Sequence, residues 1–309
     1  MLNGKIYALK EIPKLKLINH IEIFSYLQEP HILKKFTKYN FTQRIISSFQ
    51  DYDNLYLITD FYEGDNLFSF KDEIMNEEQI KFISACIVQM FIYLRNEKVV
   101  HRDFSMKNLI LDNDNYLVIL DFSYAIKFQN KLDFNNYLIC YYDIDNPPEI
   151  QALADYNYNV DYYRLGASIL HFLMFKNYAN AIKKDNHIEE LVISPETTKD
   201  FSFQCIDFLN RLIVNDPRKR LGFNNVDELK NHPWFDGYDW EKLEKKEIKS
   251  PLKFSKNETE SNICDKFYFD IEVKKAYRKI SKKRIYKKLI RNYDYVNRDI
   301  VSNIYESIK

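Results

Sequence analysis

The sequence predicts an α+β fold in which a small antiparallel sheet precedes a larger, mainly helical part. Two observations support this: strand-like segments are concentrated before residue 62, and segments with helical periodicity dominate from residue 76 onwards. The third observation is size. A chain of 309 residues with 46% hydrophobic content can form one large core or two adjoining lobes.

The N-terminal part contains three predicted strands and one helix. Residues 5–10, 43–49 and 54–61 are short apolar segments typical of strands, and the polar turn between the last two predicts a hairpin. Residues 19–35 have helical character in their middle, although Pro30 disturbs the pattern.

Helices are predicted to dominate the rest. Residues 76–96 carry apolar side chains at helical spacing, which indicates one buried face. Residues 158–175 are apolar nearly all round, as in a helix at the centre of a core, and residues 200–214 form another predicted helix. Between them, residues 116–122 are typical of a short buried strand.

Composition bears on partners and compartment. The 45 basic and 45 acidic residues give a net charge of zero, so the global charge predicts no partner, and no nucleic acid is expected. The four cysteines are far apart, which is typical of reduced thiols in an intracellular protein. No secretory leader opens the chain and no apolar run approaches ~18 residues, so the sequence predicts a soluble, cytoplasmic protein.

The segment HRDFSMKNLILDNDNYLVILDFS, residues 101–123, carries the main chemical signal. Asp103 is followed by Asn108, and Asp121 comes directly after an apolar strand. A carboxylate can orient and deprotonate an attacking hydroxyl, and carboxylate and amide oxygens can hold magnesium beside nucleotide phosphates. Taken alone, the first of these motifs would also fit an ordinary polar turn.

Together these motifs make the chain resemble the protein kinase catalytic domain, from about residue 4 to about residue 270. The resemblance is closest to the AGC group of serine/threonine kinases, because residues 232–254 are similar to the end of the kinase domain in that group. The resemblance implies a bilobal, protein-kinase-like α+β fold. Its expected parts are an N-lobe at 1–59 that lacks its first two strands, a C-lobe at 60–235, an AGC-type tail at 236–270 and a basic helical extension at 271–309.

The resemblance also implies a site for ATP and Mg²⁺. Lys10 would hold the α and β phosphates and pair with Glu29, Asp103 would orient the hydroxyl, and Asn108 and Asp121 would bind metal. The implied ATP-binding residues are Lys10, Ala8, Thr59, Asp60, Tyr62, Glu29 and Ile110.

The resemblance also implies structural roles for residues of the large lobe. Glu149 and Arg220 would form a buried ion pair, and Asp161 would hold the backbone of the catalytic loop. A stacked column resting on Asp161 would consist of Ile45, Leu33, Phe122 and His101.

The sequence departs from this family in its phosphate-binding parts. The glycine-rich loop and the two strands around it should precede residue 4. Either the natural protein begins earlier, which we expect, or the protein cannot clamp ATP well. Ser105 replaces the lysine of serine/threonine kinases, and Lys107 is the predicted catalytic substitute, because a cation stabilises charge on the transferred phosphate. Ser123 replaces the glycine after Asp121-Phe122, which should reduce flipping of this segment.

The activation segment and the substrate-contacting positions also differ. Leu138 replaces the usual phosphorylated threonine, and Tyr141 and Tyr142 replace a small pair, so we expect activation without threonine phosphorylation in this loop. Asn66, Lys107 and His171 match positions that are acidic in relatives selecting arginine-rich peptides, so that preference should be weak.

The sequence therefore predicts an ATP-dependent kinase that phosphorylates Ser/Thr hydroxyls of protein substrates. The alternative is a catalytically impaired pseudokinase that binds nucleotide or acts as a protein-interaction scaffold. The basic segment 274–291 is either a solvated helix or an amphipathic contact with an acidic membrane or partner.

Overall fold

The computed structural model describes residues 6–14, 20–71, 73–128, 146–152, 156–174, 200–252 and 293–296, with the backbone alone for 20–25 and 171–174. The strands are β1 (Tyr7–Pro13), β2 (Ile45–Gln50), β3 (Asn54–Asp60), β4 (Val99–Val100), β5 (Leu109–Leu111), β6 (Leu117–Ile119), β7 (Ile126–Lys127) and β8 (Tyr295–Val296). The helices are α1 (His20–Phe36), α2 (Glu77–Asn96), α3 (Pro148–Gln151), α4 (Asn159–Met174), α5 (Phe203–Leu212), α6 (Asp227–Lys230) and α7 (Trp240–Glu244).

The N-terminal sheet has the order β1-β3-β2-β8, with every neighbouring pair antiparallel. The turn between β2 and β3 is closed by Asp51, whose Oδ1 accepts hydrogen bonds from the backbone N–H groups of Asp53 and Asn54 at 2.8 and 2.7 Å. This geometry is why the polar segment after β2 makes a tight hairpin. The predicted α+β fold with a small antiparallel sheet is confirmed.

The last strand of this sheet was not predicted. Residues 293–296 lie within the span expected to be a basic helical extension, yet β8 pairs with Ser47 and Ser48 of β2. Tyr293 is fully buried, its carbonyl accepts a hydrogen bond from the Ser48 hydroxyl, and Tyr295 lies under the ammonium of Lys34 of α1, 4.4 Å from the ring centre. The other residues of the span 253–309 lie outside the described part of the chain.

The helical part is built around α2 and α4. Helix α2 begins with a capping box, in which Asn76 and Gln79 exchange side-chain-to-backbone hydrogen bonds of 3.0 Å. The Phe91 ring of α2 packs 4.8 Å from Tyr162 of α4 and 4.8 Å from Phe104 of the loop between β4 and β5. Phe91 therefore contacts both α4 and that loop.

Residues 232–252 fasten the end of this helical part to the rest. Trp234 is buried, and its indole N–H donates to Glu77 Oε1 at 2.8 Å. Lys246 forms an ion pair with Asp112, and the Ser250 hydroxyl donates to the Asn115 carbonyl at 2.9 Å. Among the described residues, no helix combines the length and the apolar character needed to cross a membrane.

Candidate active site

Lys10 is the centre of a three-residue charge cluster between the sheet and the helical lobe. Its ammonium lies 3.0 Å from Glu29 Oε2 and 2.9 Å from Asp121 Oδ1. Strand β1 supplies the lysine and α1 supplies the glutamate, while Asp121 begins the turn after β6. The expected Lys10–Glu29 pair is thus present, and the aspartate joins it.

Burial and charge act on these groups in different ways. Burial raises the pKa of Glu29 to about 7, and Lys10 only partly opposes this increase. Burial would also raise the pKa of Asp121, but the charge of Lys10 and hydrogen bonds from Lys10 and Ser123 hold it below its ordinary range. The side chain of Glu29 is 1% exposed, whereas that of Asp121 is 39% exposed. Asp121 is therefore ionised and accessible, as a metal ligand must be.

Asp103 and Asn108 lie together in the loop between β4 and β5. The Asn108 side-chain N–H group donates to Asp103 Oδ2 at 2.7 Å and to the Asp103 carbonyl at 2.9 Å. The amide nitrogen is thus used inside the loop, which leaves the amide oxygen as the atom of Asn108 that can bind a cation.

Asp161, at the start of α4, holds this loop in place. Its two carboxylate oxygens accept hydrogen bonds from the backbone N–H groups of His101 and Arg102 at 2.8 and 2.9 Å. Arg102 has a positive φ of 65°, and these hydrogen bonds help maintain that uncommon conformation. The carboxylate therefore acts through the backbone of the loop.

The predicted column of stacked side chains reaches Asp161 through His101. The rings of Phe122 and His101 lie 4.9 Å apart, and His101 is bonded to Asp161 through its backbone. Ile45, Leu33, Phe122 and His101 are all fully buried. Burial lowers the pKa of His101, and its Nε2 lies 3.1 Å from the Leu120 carbonyl, so a neutral ring donating there satisfies the contact.

The expected adenine-binding residues lie on β1, on β3 and just after it, and on β5 of the separate two-stranded sheet. Ala8 of β1 is paired with Thr59 of β3, and Thr59 and Asp60 are both buried. The Asp60 carboxylate binds Arg44, with Nε–Oδ2 at 2.7 Å, so its side chain is engaged in the sheet. Tyr62 lies two residues after Asp60, and Ile110 lies in β5.

Gln43 connects Thr59 of β3 to Asp121, one of the two predicted metal ligands, and the sequence did not predict this role. Its Nε2 donates to Thr59 Oγ1 at 3.0 Å, and its Oε1 accepts from the Asp121 backbone N–H at 3.1 Å. An isolated glutamine before a strand gives no signal of such a bridge, because both partners are distant in sequence.

The donor set fits Mg²⁺ and a polyphosphate. Asp121 offers a partly exposed carboxylate, Asn108 offers an amide oxygen, and Lys10 offers a cation for phosphate oxygens. No cluster of three or more His, Cys, Asp or Glu side chains suited to a metal ion lies within the described ranges. A magnesium ion held here would therefore need phosphate or water oxygens as further ligands, which is usual for this ion.

Besides Arg102, the loop between β4 and β5 has Lys107 and Arg164 nearby in the described part of the chain, and of these two only Lys107 was predicted to act there. Lys107 is exposed, and its ammonium lies 5.2 Å from the centre of the Phe68 ring; its catalytic role stays a prediction. Arg164 of α4 is buried and reaches Asp103, with Nη1–Oδ1 at 3.6 Å. The signal that could have found it is an arginine one helical turn after Asp161, in an otherwise apolar segment.

The second predicted ion pair is also present. Arg220 binds Glu149 through two parallel contacts, Nη1–Oε1 at 2.6 Å and Nη2–Oε2 at 3.0 Å. Both side chains are buried, and the guanidinium also donates to the carbonyls of Val214 and Asn159. The guanidinium of Arg220 is therefore paired with a carboxylate and hydrogen-bonded to backbone carbonyls, as a buried charge requires.

Several sequence-based expectations fall outside the described residues. They concern Leu138, Tyr141 and Tyr142 of the activation segment, the side chain of His171 and the basic segment 274–291.

A sheet-rich lobe and a helical lobe with Lys10, Asp103, Asn108 and Asp121 between them define the class of bilobal phosphotransferase folds. A family model described as "Protein kinase domain" matches residues 1–235. The chain belongs to the protein kinase family.

Curated relatives are serine/threonine kinases. A probable serine/threonine-protein kinase of Dictyostelium discoideum is 31% identical over 254 residues, covering 80% of this chain and 55% of that protein. The cAMP-dependent protein kinase catalytic subunit of Schizosaccharomyces pombe is 32% identical, covering 81% of this chain and 49% of that protein. The serine/threonine-protein kinase sgk-1 of Caenorhabditis elegans is 29% identical, covering 87% and 59%.

These similarities confirm the predicted resemblance to AGC-group kinases. The chain spans between 26% and 59% of the length of the first three curated relatives that it matches.

Proposed function

We propose that this chain is the catalytic part of a protein kinase that transfers the γ-phosphate of ATP to Ser/Thr hydroxyls of protein substrates. The observation that carries the proposal is the cluster in which Lys10 contacts both Glu29 and Asp121 within 3.2 Å. It joins the sheet to the helical lobe, and it combines a cation for phosphate with an accessible carboxylate for metal.

The contacts of Lys10, Asp121 and Asn108 support the following roles. Lys10 would bind phosphate oxygens, while Glu29 holds its ammonium in place. Asp121 and Asn108 would hold Mg²⁺, which neutralises charge on the phosphates when bound. Thr59, Asp60, Tyr62, Ala8 and Ile110 would surround the adenine ring.

Asp103 would act on the protein substrate. It accepts the proton of a Ser/Thr hydroxyl as the hydroxyl oxygen forms a bond to the γ-phosphorus. The bond between that phosphorus and the bridging oxygen breaks, and ADP leaves with the electron pair. The 37% exposure of the Asp103 side chain leaves room for the hydroxyl to approach.

The test is transfer of radiolabelled phosphate from Mg-ATP to a degenerate peptide library with Ser or Thr as acceptor. Wild-type protein should label the library, and Asp103→Asn should lower the rate by at least about 10²-fold while retaining the ATP-induced thermal shift. Asp207→Asn, on the distant α5, is the matched control and should keep the wild-type rate. Binding of Mg-ATP without any transfer by the wild type would favour the pseudokinase alternative.

A further inference from the structure

The buried arginine of α4 has no role in the reaction scheme above. Arg164 is 6% exposed and lies in a helix whose neighbouring residues are nearly all apolar. Burying a guanidinium is costly unless oppositely charged or polar groups face it. Its contacts should therefore show why a charge is kept at this position.

The guanidinium of Arg164 contacts two side chains. Its Nη1 lies 3.6 Å from Asp103 Oδ1, and its Nη2 donates to the side-chain oxygen of Asn146. The first distance is that of an ion pair rather than a hydrogen bond. Because Arg164 is buried, solvent and salt screen this attraction much less than at an exposed surface.

The Asp103 carboxylate is thus held from two directions. Oδ2 accepts from Asn108 of its own loop at 2.7 Å, and Oδ1 faces Arg164 of the core helix. Rotating the carboxylate would weaken both contacts together. A long core helix is also a more rigid support than the loop itself.

The helix supplies a second group to the same loop one turn earlier. Asp161 and Arg164 are three residues apart, a spacing that places side chains on one helix face. Asp161 fixes the loop backbone at His101 and Arg102, and Arg164 reaches the Asp103 side chain. Ser105 brings no charge to this loop.

We propose that Arg164 is a positioning residue that, from the core helix, fixes the Asp103 carboxylate for the substrate hydroxyl. The inference rests on the proposed kinase function. Arg164 acts through Asp103 and makes no contact of its own with the substrate.

The test compares kcat and KM for the best library peptide, together with the Mg-ATP thermal shift, in a set of variants. Arg164→Met should lower kcat by about 10²-fold, the effect expected when a reacting group is misplaced by about 1 Å. KM for ATP should stay within about twofold of the wild type, because Arg164 is not part of the nucleotide site. Arg211→Met is the matched control, an exposed helical arginine paired with Asp207, and should keep the wild-type kcat.

Rescue separates positioning from a merely structural role. Arg164→Lys, and the double variant Ser105→Lys/Arg164→Met, which returns a cation from the loop side, should each recover at least about tenfold in kcat over Arg164→Met. If Arg164→Met does not fold, Arg164→Gln replaces it, since glutamine is neutral and polar.

Three results would overturn the inference: a wild-type kcat in the uncharged variant, no recovery in either rescue variant, or a fall in kcat matched by a loss of the Mg-ATP thermal shift. A wild-type protein that transfers no phosphate would instead refute the proposed function, and this inference with it.

Discussion

At the scale of single residues, Glu29 gives the clearest consequence of burial. Its carboxylate is almost fully enclosed, and burial raises its pKa to about 7 from an ordinary value of 4.5. Folding therefore takes up a proton between these two values. The contribution of Glu29 to stability is full below about pH 4.5 and is lost as pH rises through about 7.

Glu29→Gln should remove this pH dependence from the ligand-free protein. We expect the free energy of unfolding of the wild type, relative to the variant, to fall by up to roughly 3 kcal/mol between pH 5 and pH 8. Urea unfolding at a series of pH values measures this difference. Glu97→Gln is the control, because the pKa of Glu97 is lowered, so its contribution to stability is lost as pH falls and not as pH rises. Parallel curves for wild type and Glu29→Gln would contradict the prediction.

At the scale of elements, β8 shows how a distant segment completes the sheet. Tyr293 is fully buried, its carbonyl accepts a hydrogen bond from Ser48 of β2, and β8 extends the ladder at Ser47 and Ser48. A two-residue strand has too few backbone hydrogen bonds to hold itself on an edge. The buried ring is therefore the main anchor of the strand.

Tyr293→Ala should release β8 from β2 without unfolding the helical lobe. Removing a buried aromatic ring destabilises a structure by about 3–5 kcal/mol. The backbone hydrogen bonds of a two-residue strand cannot offset this loss. Hydrogen exchange should become faster at the β2 amides that face β8 and remain slow in α2 and α4. Val296→Ala, at a position that is 54% exposed, is the matched control and should leave exchange unchanged. Unchanged protection of β2 in Tyr293→Ala would show that the ring is not the anchor.

Local signals decided which elements could be predicted. Helix α2 has regular apolar spacing and a capping residue, and its predicted and observed limits differ by a single residue. The hairpin of β2 and β3 carries its own turn residues, so it too was predictable. Strand β8 was not, because a two-residue strand has no periodicity and its partners lie about 245 residues away.

The candidate site divides in the same way. Lys10, Glu29, Asp103, Asn108 and Asp121 follow from short motifs and a shared register, and the expected Lys10–Glu29 pair is present. The bridge through Gln43 and the contact of Arg164 with Asp103 depend on how helices and strands pack. The bridge through Gln43 has no sequence signal, whereas the spacing of Arg164 from Asp161 offers one for the second contact.

At the scale of the whole molecule, Lys10 and Asp121 connect the two lobes directly. Their ion pair joins β1 of the sheet to the turn after β6. When nucleotide and Mg²⁺ bind, Lys10 can pair with phosphate and Asp121 with metal. The direct ion pair between the lobes would then be replaced by contacts of both residues with the bound ligands. Stabilisation by ATP should therefore depend strongly on Mg²⁺.

Mg-ATP at about 100-fold its dissociation constant should add about 2.7 kcal/mol to the free energy of unfolding, seen as a higher melting temperature. ATP with EDTA should give a much smaller shift in the wild type. In Asp121→Asn the shifts with and without Mg²⁺ should become equal, because the amide loses the charge that binds the metal. Asp236→Asn, at an exposed position outside the candidate site, is the matched control and should keep the wild-type difference. A shift in Asp121→Asn that still depends on Mg²⁺ would place the metal elsewhere in the cleft and separate the nucleotide site from the Lys10 cluster.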